Sequence, residues 1–163
     1  MEREKAPICD GFAFIEGPRW YDDALWFSDM HGEAVYRVVP GSAPERVVAV
    51  PQRPSGLGWL PNGDLLIASM LDRQVLRFTG SEALLPYADL STIAERRIND
   101  MLVDSQGRAW VGNFGFDLSS GEPVMPGTLA RVDSDGSVHA AADDLLGFAF
   151  FLVDFFGGMY ERS

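Results

Sequence analysis

One pattern occurs three times along this chain, and it restricts the possible folds more than any other feature. The first copy is "EGPRWYDDALWFSDMHGEAVYRV", from Glu16. The second is "SGLGWLPNGDLLIASMLDRQVLRF", from Ser55. The third is "NDMLVDSQGRAWVGNF", from Asn99, resuming as "GTLARV" after the insertion "GFDLSSGEPVMP". Trp26, Leu66 and Trp110 correspond, at separations of 40 and 44 residues. Val35-Tyr36-Arg37, Val75-Leu76-Arg77 and Leu129-Ala130-Arg131 correspond as well. Each copy reads as short strands joined by tight turns. Asp22-Asp23, Asn62-Gly63 and Gln106-Gly107 separate apolar runs, and Asn-Gly is a strong hairpin signal. "AVYRVV" and "QVLRFT" alternate, and "DLLIAS" and "AWVGNF" are rich in strand formers. "STIAERRIND" holds one turn of helix at most. A period of about 40 residues with several strands per copy points to β-propeller blades. A β-sandwich also has short strands at regular spacing and is the alternative architecture.

The alignment bears on a puzzle in "FIEGPRW". Glu16 stands between a short apolar run and Gly-Pro, and a buried acid without a partner is costly. It is either a turn-forming surface residue or a ligand aimed into a site. Counting back four from Trp20, Trp59 and Val103 gives Glu16, Ser55 and Asn99. These are the places where the innermost strand of a blade begins. In a propeller such starts converge on the central channel, so Glu16 is expected to face an axial site.

Composition narrows the partners. Of 163 residues, 47% are hydrophobic and 23% charged, which describes a globular chain. The net charge of −11 repels phosphate backbones and argues against nucleic acid as a partner. No stretch reaches the roughly 18 apolar residues of a membrane span, and no signal-peptide core is visible in "MEREKAPICDGF". Cys9 is the only cysteine, so no internal disulfide can form. Together these features suggest a cytoplasmic protein that does not engage a membrane.

"GFAFIEGPRW", "SGLGWLPNGDLLIAS" and "RINDMLVDSQGRAWVGNFGFD" resemble the gluconolactonase family, which includes regucalcin (senescence marker protein) and luciferin-regenerating enzyme. The resemblance covers about Gly11 to Leu146 and about half of a family domain. It implies an all-β fold, a six-bladed β-propeller with about three blades present here. Residues 1–146 would form the partial propeller, with repeats starting near 16, 55 and 99, and residues 147–163 an atypical apolar tail. It implies metal-dependent hydrolysis of a small lactone, such as a sugar-acid lactone, with one divalent cation, calcium or zinc. Carried over residue by residue, Glu16 is a metal ligand, and Arg97, Asn99 and Asp117 contact substrate. The family pattern continues with a "P-N-G" turn and a later Asp that is both metal ligand and general base. After Leu146 this chain instead reads "GFAFFLVDFFGGMYERS", and no residue matches that Asp. The resemblance therefore implies weak or no activity for this chain alone.

Each candidate also has a plainer reading. Glu16 can be a solvated residue before a turn, Asn99-Asp100 can bond nearby backbone, and Arg96-Arg97 can be a surface pair. His31 and His139 are expected to be structural, Cys9 inert, and Trp20, Trp26, Trp59 and Trp110 to pack within or between blades. Three blades do not close a ring, and open blades expose apolar surface and strand edges. Two chains joined through these edges, a homodimer, would supply six. The alternatives to a lactonase are a non-catalytic binding or assembly module and a truncated or frame-altered product.

Overall fold

The computed structural model describes residues 7–145, apart from 82, 118 and 119. Among these residues there are twelve strands and no helix. They are β1 (Ile15–Tyr21), β2 (Ala24–Asp29), β3 (Ala34–Val38), β4 (Glu45–Ala49), β5 (Pro54–Trp59), β6 (Leu65–Ser69), β7 (Gln74–Phe78), β8 (Leu84–Asp89), β9 (Ile98–Val103), β10 (Ala109–Asn113), β11 (Gly127–Val132) and β12 (Val138–Leu145). They form three four-stranded antiparallel meanders, β1–β4, β5–β8 and β9–β12. This is the propeller-blade arrangement, with about half of a six-bladed ring present. The apolar tail expected at 147–163 lies outside the described residues.

The turns follow from local chemistry. Asp22 and Asp23 both have positive φ, 49° and 55°, which makes the two-residue hairpin turn whose twist suits paired strands. The β5–β6, β9–β10 and β11–β12 turns share another form. Leu60 N–H donates to Asp64 O, Asp104 N–H to Arg108 O, and Asp133 N–H to Ser137 O. In each, a glycine at positive φ (Gly63, Gly107 or Gly136) completes the turn. The segment "STIAERRIND" makes a single turn, with Ala94 N–H donating to Leu90 O.

Facing pairs in the ladder confirm the repeat residue by residue. Trp26 lies opposite Arg37, Leu66 opposite Arg77, and Trp110 opposite Arg131. The sheets pack face to face on two apolar cores. Val35, Val48 and Val50 of the first repeat meet Leu57, Leu65 and Ile67 of the second. Leu66, Ala68 and Val75 of the second meet Met101, Ala109 and Val111 of the third. Trp26 meets Trp59 edge-to-face at 5.4 Å between sheets, and Tyr21 stacks on Trp59 at 4.2 Å. Trp20 departs from expectation: it is 60% exposed. It pairs with Leu25 on the face of the first sheet turned away from the second, where no further described sheet covers it. Phe14, just before β1, is exposed as well, its ring set edge-on to His31 at 5.6 Å.

The insertion leaves the third sheet intact. A Cβ on Gly115 would collide with the Pro126 carbonyl, so the two ends of the loop close against each other at the root of the β10–β11 hairpin. Only glycine allows that approach.

Candidate functional site at the inner strand ends

β1, β5 and β9 are the innermost strands, and each carries a bulge near its start. Register shifts fall between Glu16 and Arg19, between Pro54 and Leu57, and between Ile98 and Met101 opposite Val111–Asn113. A bulge inserts an extra residue and re-aims side chains, and it is common beside functional sites. Here it sets Glu16 opposite Ser28 and Arg19 opposite Trp26, so Glu16 and Arg19 point toward the same side of the sheet. At Gly17, φ is +54°, and an added Cβ would stand 2.6 Å from Ser55 O. The first and second inner strands therefore touch backbone to backbone beside Glu16. A Cβ at Gly56 would collide with the backbone of Asp100 and Met101, so the second and third strands touch in the same way.

Polar groups stitch the three strands together. Ser28 Oγ donates to Ser55 O at 2.7 Å, and Ser55 Oγ donates to Asn99 Oδ1 at 3.0 Å. Arg19 reaches from the first sheet to the third, donating to Asp100 Oδ1 at 2.7 Å and to Met101 O at 2.8 Å. Met101 N–H also donates to Asp100 Oδ1. Ser55, Asn99 and Asp100 are buried. Glu16 is pushed above the usual carboxylate range, first by burial and then by the negative charge of Asp100; the Gly17 N–H opposes this in part. Glu16 and Asn99 thus belong to one polar seam at the starts of the inner strands.

Arg97 and Asp117 make a second cluster, on the connections before β9 and after β10. Their charged groups lie 3.6 Å apart. Arg96 forms a two-pronged pair with Glu122, at 3.1 and 3.2 Å, and Glu122 also accepts from Asp117 N–H at 2.8 Å. Arg96 is more than a loose surface charge: with Glu122 it ties the insertion to the connection that carries Arg97 and leads into β9. Of the sequence candidates, the structure brings Arg97 to Asp117 and sets Glu16 and Asn99 along the seam. Arg19 and Ser28 carry the seam without having been singled out, and Asp100, expected to bond nearby backbone, does so through Met101 N–H and also takes Arg19. Arg19 and Asp100 had a visible signal, since they lie inside "EGPRW" and "RIND"; Ser28 had none.

A hard divalent cation takes six or more oxygen ligands. The described residues meet part of that need. A cation would favour the ionised form of Glu16, which burial and Asp100 disfavour. Asp100, however, is committed to Arg19 and Met101. Among the described residues no group of three or more His, Cys, Asp or Glu is placed to hold a metal ion. One carboxylate and one amide fall short of such a coordination sphere.

Three sheets in meander order, with bulged inner strands meeting at a polar seam, define a partial β-propeller with its candidate site at the hub. The chain matches the family model for the SMP-30/gluconolactonase/LRE-like region over residues 14–148, and it belongs to that family. Among solved structures it is similar to a gluconolactonase from Xanthomonas campestris, at 21% identity and TM-score 0.64, covering 82% of this chain and 49% of that one. It is similar to regucalcin from Agrobacterium tumefaciens, described as a calcium-binding protein, at 21% identity and TM-score 0.64, covering 82% and 44%. A luciferin-regenerating enzyme aligns at 18% identity and TM-score 0.65, covering 83% and 47%. This chain spans about half the length of these proteins. No helix among the described residues is long and apolar enough to cross a membrane.

Proposed function

We propose that the hub end of these three sheets is one part of a lactone-hydrolysing site of the gluconolactonase type. In this reading Glu16 is the chain's contribution to a divalent cation, calcium or zinc. Arg97, Asn99 and Asp117 face the substrate, a small sugar-acid lactone or its like. The guanidinium fork of Arg97 suits the oxygens of such a ring. The general base is not assigned, and the remaining cation ligands are supplied from outside the described residues, so the three sheets alone are expected to turn over slowly or not at all. The observation that carries the reading is the electrostatics of Glu16: a half-buried carboxylate at the meeting point of bulged inner strands, pushed toward its neutral form by burial and by Asp100. A site so arranged gains from a cation.

Thermal melting tests the metal role. A ligand that binds only the folded state stabilises it by about 2.7 kcal/mol at 100 times its Kd. Millimolar calcium or zinc should raise Tm for the wild type and not for Glu16→Gln; an unchanged wild-type curve removes the metal role. Acid release from sugar-acid lactones tests the chemistry: turnover by the wild type above background that Glu16→Gln matches would end the enzymatic reading. A second reading, a non-catalytic assembly module, draws support from the exposed Trp20 face.

A further inference from the structure

The chain has three asparagines, Asn62, Asn99 and Asn113. Asn99 and Asn113 are buried, and each precedes a residue with a side chain, Asp100 or Phe114. Asn62 is exposed and precedes Gly63. It lies past the end of β5, whereas Ser55 and the hub lie at that strand's start. The β5–β6 turn folds its amide forward over the Gly63 peptide. Asp64 N–H donates to Asn62 Oδ1 at 3.2 Å, and Asn62 Nδ2 donates to Asp64 Oδ2 at 2.8 Å. Asparagine commonly bonds the backbone two residues on in this way. Arg77 Nε donates to the same Asp64 oxygen at 2.7 Å. Gly63 brings no side chain to the peptide nitrogen. Where its Cβ would stand, the Tyr21 hydroxyl at 3.8 Å is the nearest group. The β11–β12 turn has the same form with different partners. There Asp135 holds the place of Asn62, and Ser137 supplies two donors to it, its N–H at 2.9 Å and its hydroxyl at 2.6 Å. A carboxylate suits that turn because the residue two further on donates twice. In the β5–β6 turn that residue is Asp64, whose side chain accepts.

We infer that Asn62 is a self-modification site of the folded protein, converting to aspartate and isoaspartate and setting a second carboxylate beside Asp64. The Gly63 nitrogen gives up its bond to Leu60 O, loses its proton to hydroxide and attacks Asn62 Cγ. The new C–N bond closes a succinimide, the Cγ–Nδ2 bond breaks, and ammonia leaves with a proton from water. Water then opens the ring at one carbonyl to give aspartate, or at the other to give isoaspartate, whose backbone is one methylene longer. Nothing is oxidised or reduced. Asp64 N–H already points at Oδ1, where negative charge builds during the attack, and a donor so placed stabilises it. The missing Cβ of Gly63 leaves the nitrogen open. Either product loses the amide donor to Asp64 Oδ2 and gains a like charge there, so two carboxylates share Arg77. The inference is independent of the lactonase reading.

Incubation of the full chain in mildly alkaline buffer at body temperature, followed by peptide mapping with isoaspartate-specific detection, tests it. Deamidation should accumulate at Asn62 while Asn99 and Asn113 stay intact, at a rate proportional to hydroxide concentration. The modified protein should melt below the fresh protein, and Asn62→Asp should show part of that loss. Asn62→Ser keeps an oxygen for Asp64 N–H but has no amide, and its melting should not change on incubation. A parallel incubation in urea removes the turn. Conversion in urea with the folded chain unchanged over the same time would overturn the inference. So would deamidation at Asn99 or Asn113 matching that at Asn62, or a modified chain that melts with the fresh one. If Asn62→Ser does not fold, the folded and urea-treated wild type decide the matter.

Discussion

Single residues at the hub carry opposite electrostatic burdens. Glu16 has a raised pKa, so the folded state holds its proton more tightly than the unfolded state does. Its ionisation therefore costs stability, and the cost grows as pH rises from the ordinary carboxylate range through the raised value. Glu16→Gln is expected to raise Tm at pH 7 in the absence of metal and to leave it nearly unchanged near pH 4; melting curves at the two pH values check this. Arg19 is the opposite case. Its guanidinium and the Asp100 carboxylate are both largely buried, and they bond across two sheets. Arg19→Ala leaves Asp100 desolvated beside Glu16, and a loss of about 2–3 kcal/mol in denaturant unfolding is expected. Ser69 differs again: its hydroxyl is buried and has no hydrogen-bond partner among the described residues. Ser69→Ala should be neutral or stabilise by up to about 1 kcal/mol, by the same measurement.

At the scale of elements, the inner-strand bulges and the glycines beside them position the site. Gly17 combines a left-handed φ with a close approach to Ser55 O. An alanine there meets both backbone strain and a clash, so Gly17→Ala should cost about 2 kcal/mol or more. Equilibrium unfolding reads the cost, and weaker metal-linked stabilisation should accompany it if the bulge aims Glu16. Much of the element layout was legible beforehand. The repeat located the inner strands, because apolar runs and turn residues recur at fixed offsets. The bulges were not legible, since they arise from register against a neighbouring strand. Trp20 was misread for a related reason: its type asks for burial, but burial depends on whether another sheet lies across that face.

For the whole molecule, acid stability depends on carboxylates held in the opposite direction to Glu16. Burial works to raise the pKa of Asp29, but N–H groups of Phe14, Ala13 and Gly32 outweigh it and hold the group low. Asp64 is held low by bonds from Arg77 and Asn62. In Asp104 burial is again outweighed, by Arg108, Trp110 and the backbone of Arg108 and Gln106. Groups with depressed folded-state pKa stabilise fully above their unfolded values and lose that contribution as pH falls through the folded ones. The fold is therefore expected to weaken progressively below about pH 4, with Asp29 releasing the segment around Phe12 and Phe14 as it protonates. Intrinsic fluorescence against pH follows the transition.

The sequence by itself determined the all-β class and the three-fold repeat, because strand period, turn chemistry and a recurrence of about 40 residues are local properties written in residue order; it left the β-sandwich open as an alternative to blades. It also located Glu16 and Asn99 at matched strand starts and Arg97 close by. Only the tertiary structure decided what those residues face. That Arg19 crosses to Asp100 depends on how separate sheets meet, that Glu122 holds Arg96 and Asp117 depends on how the insertion folds back on its own sheet, and that Trp20 is exposed depends on what lies across its face. Contacts between side chains on different loops and sheets are set by packing, and local pattern holds no record of them.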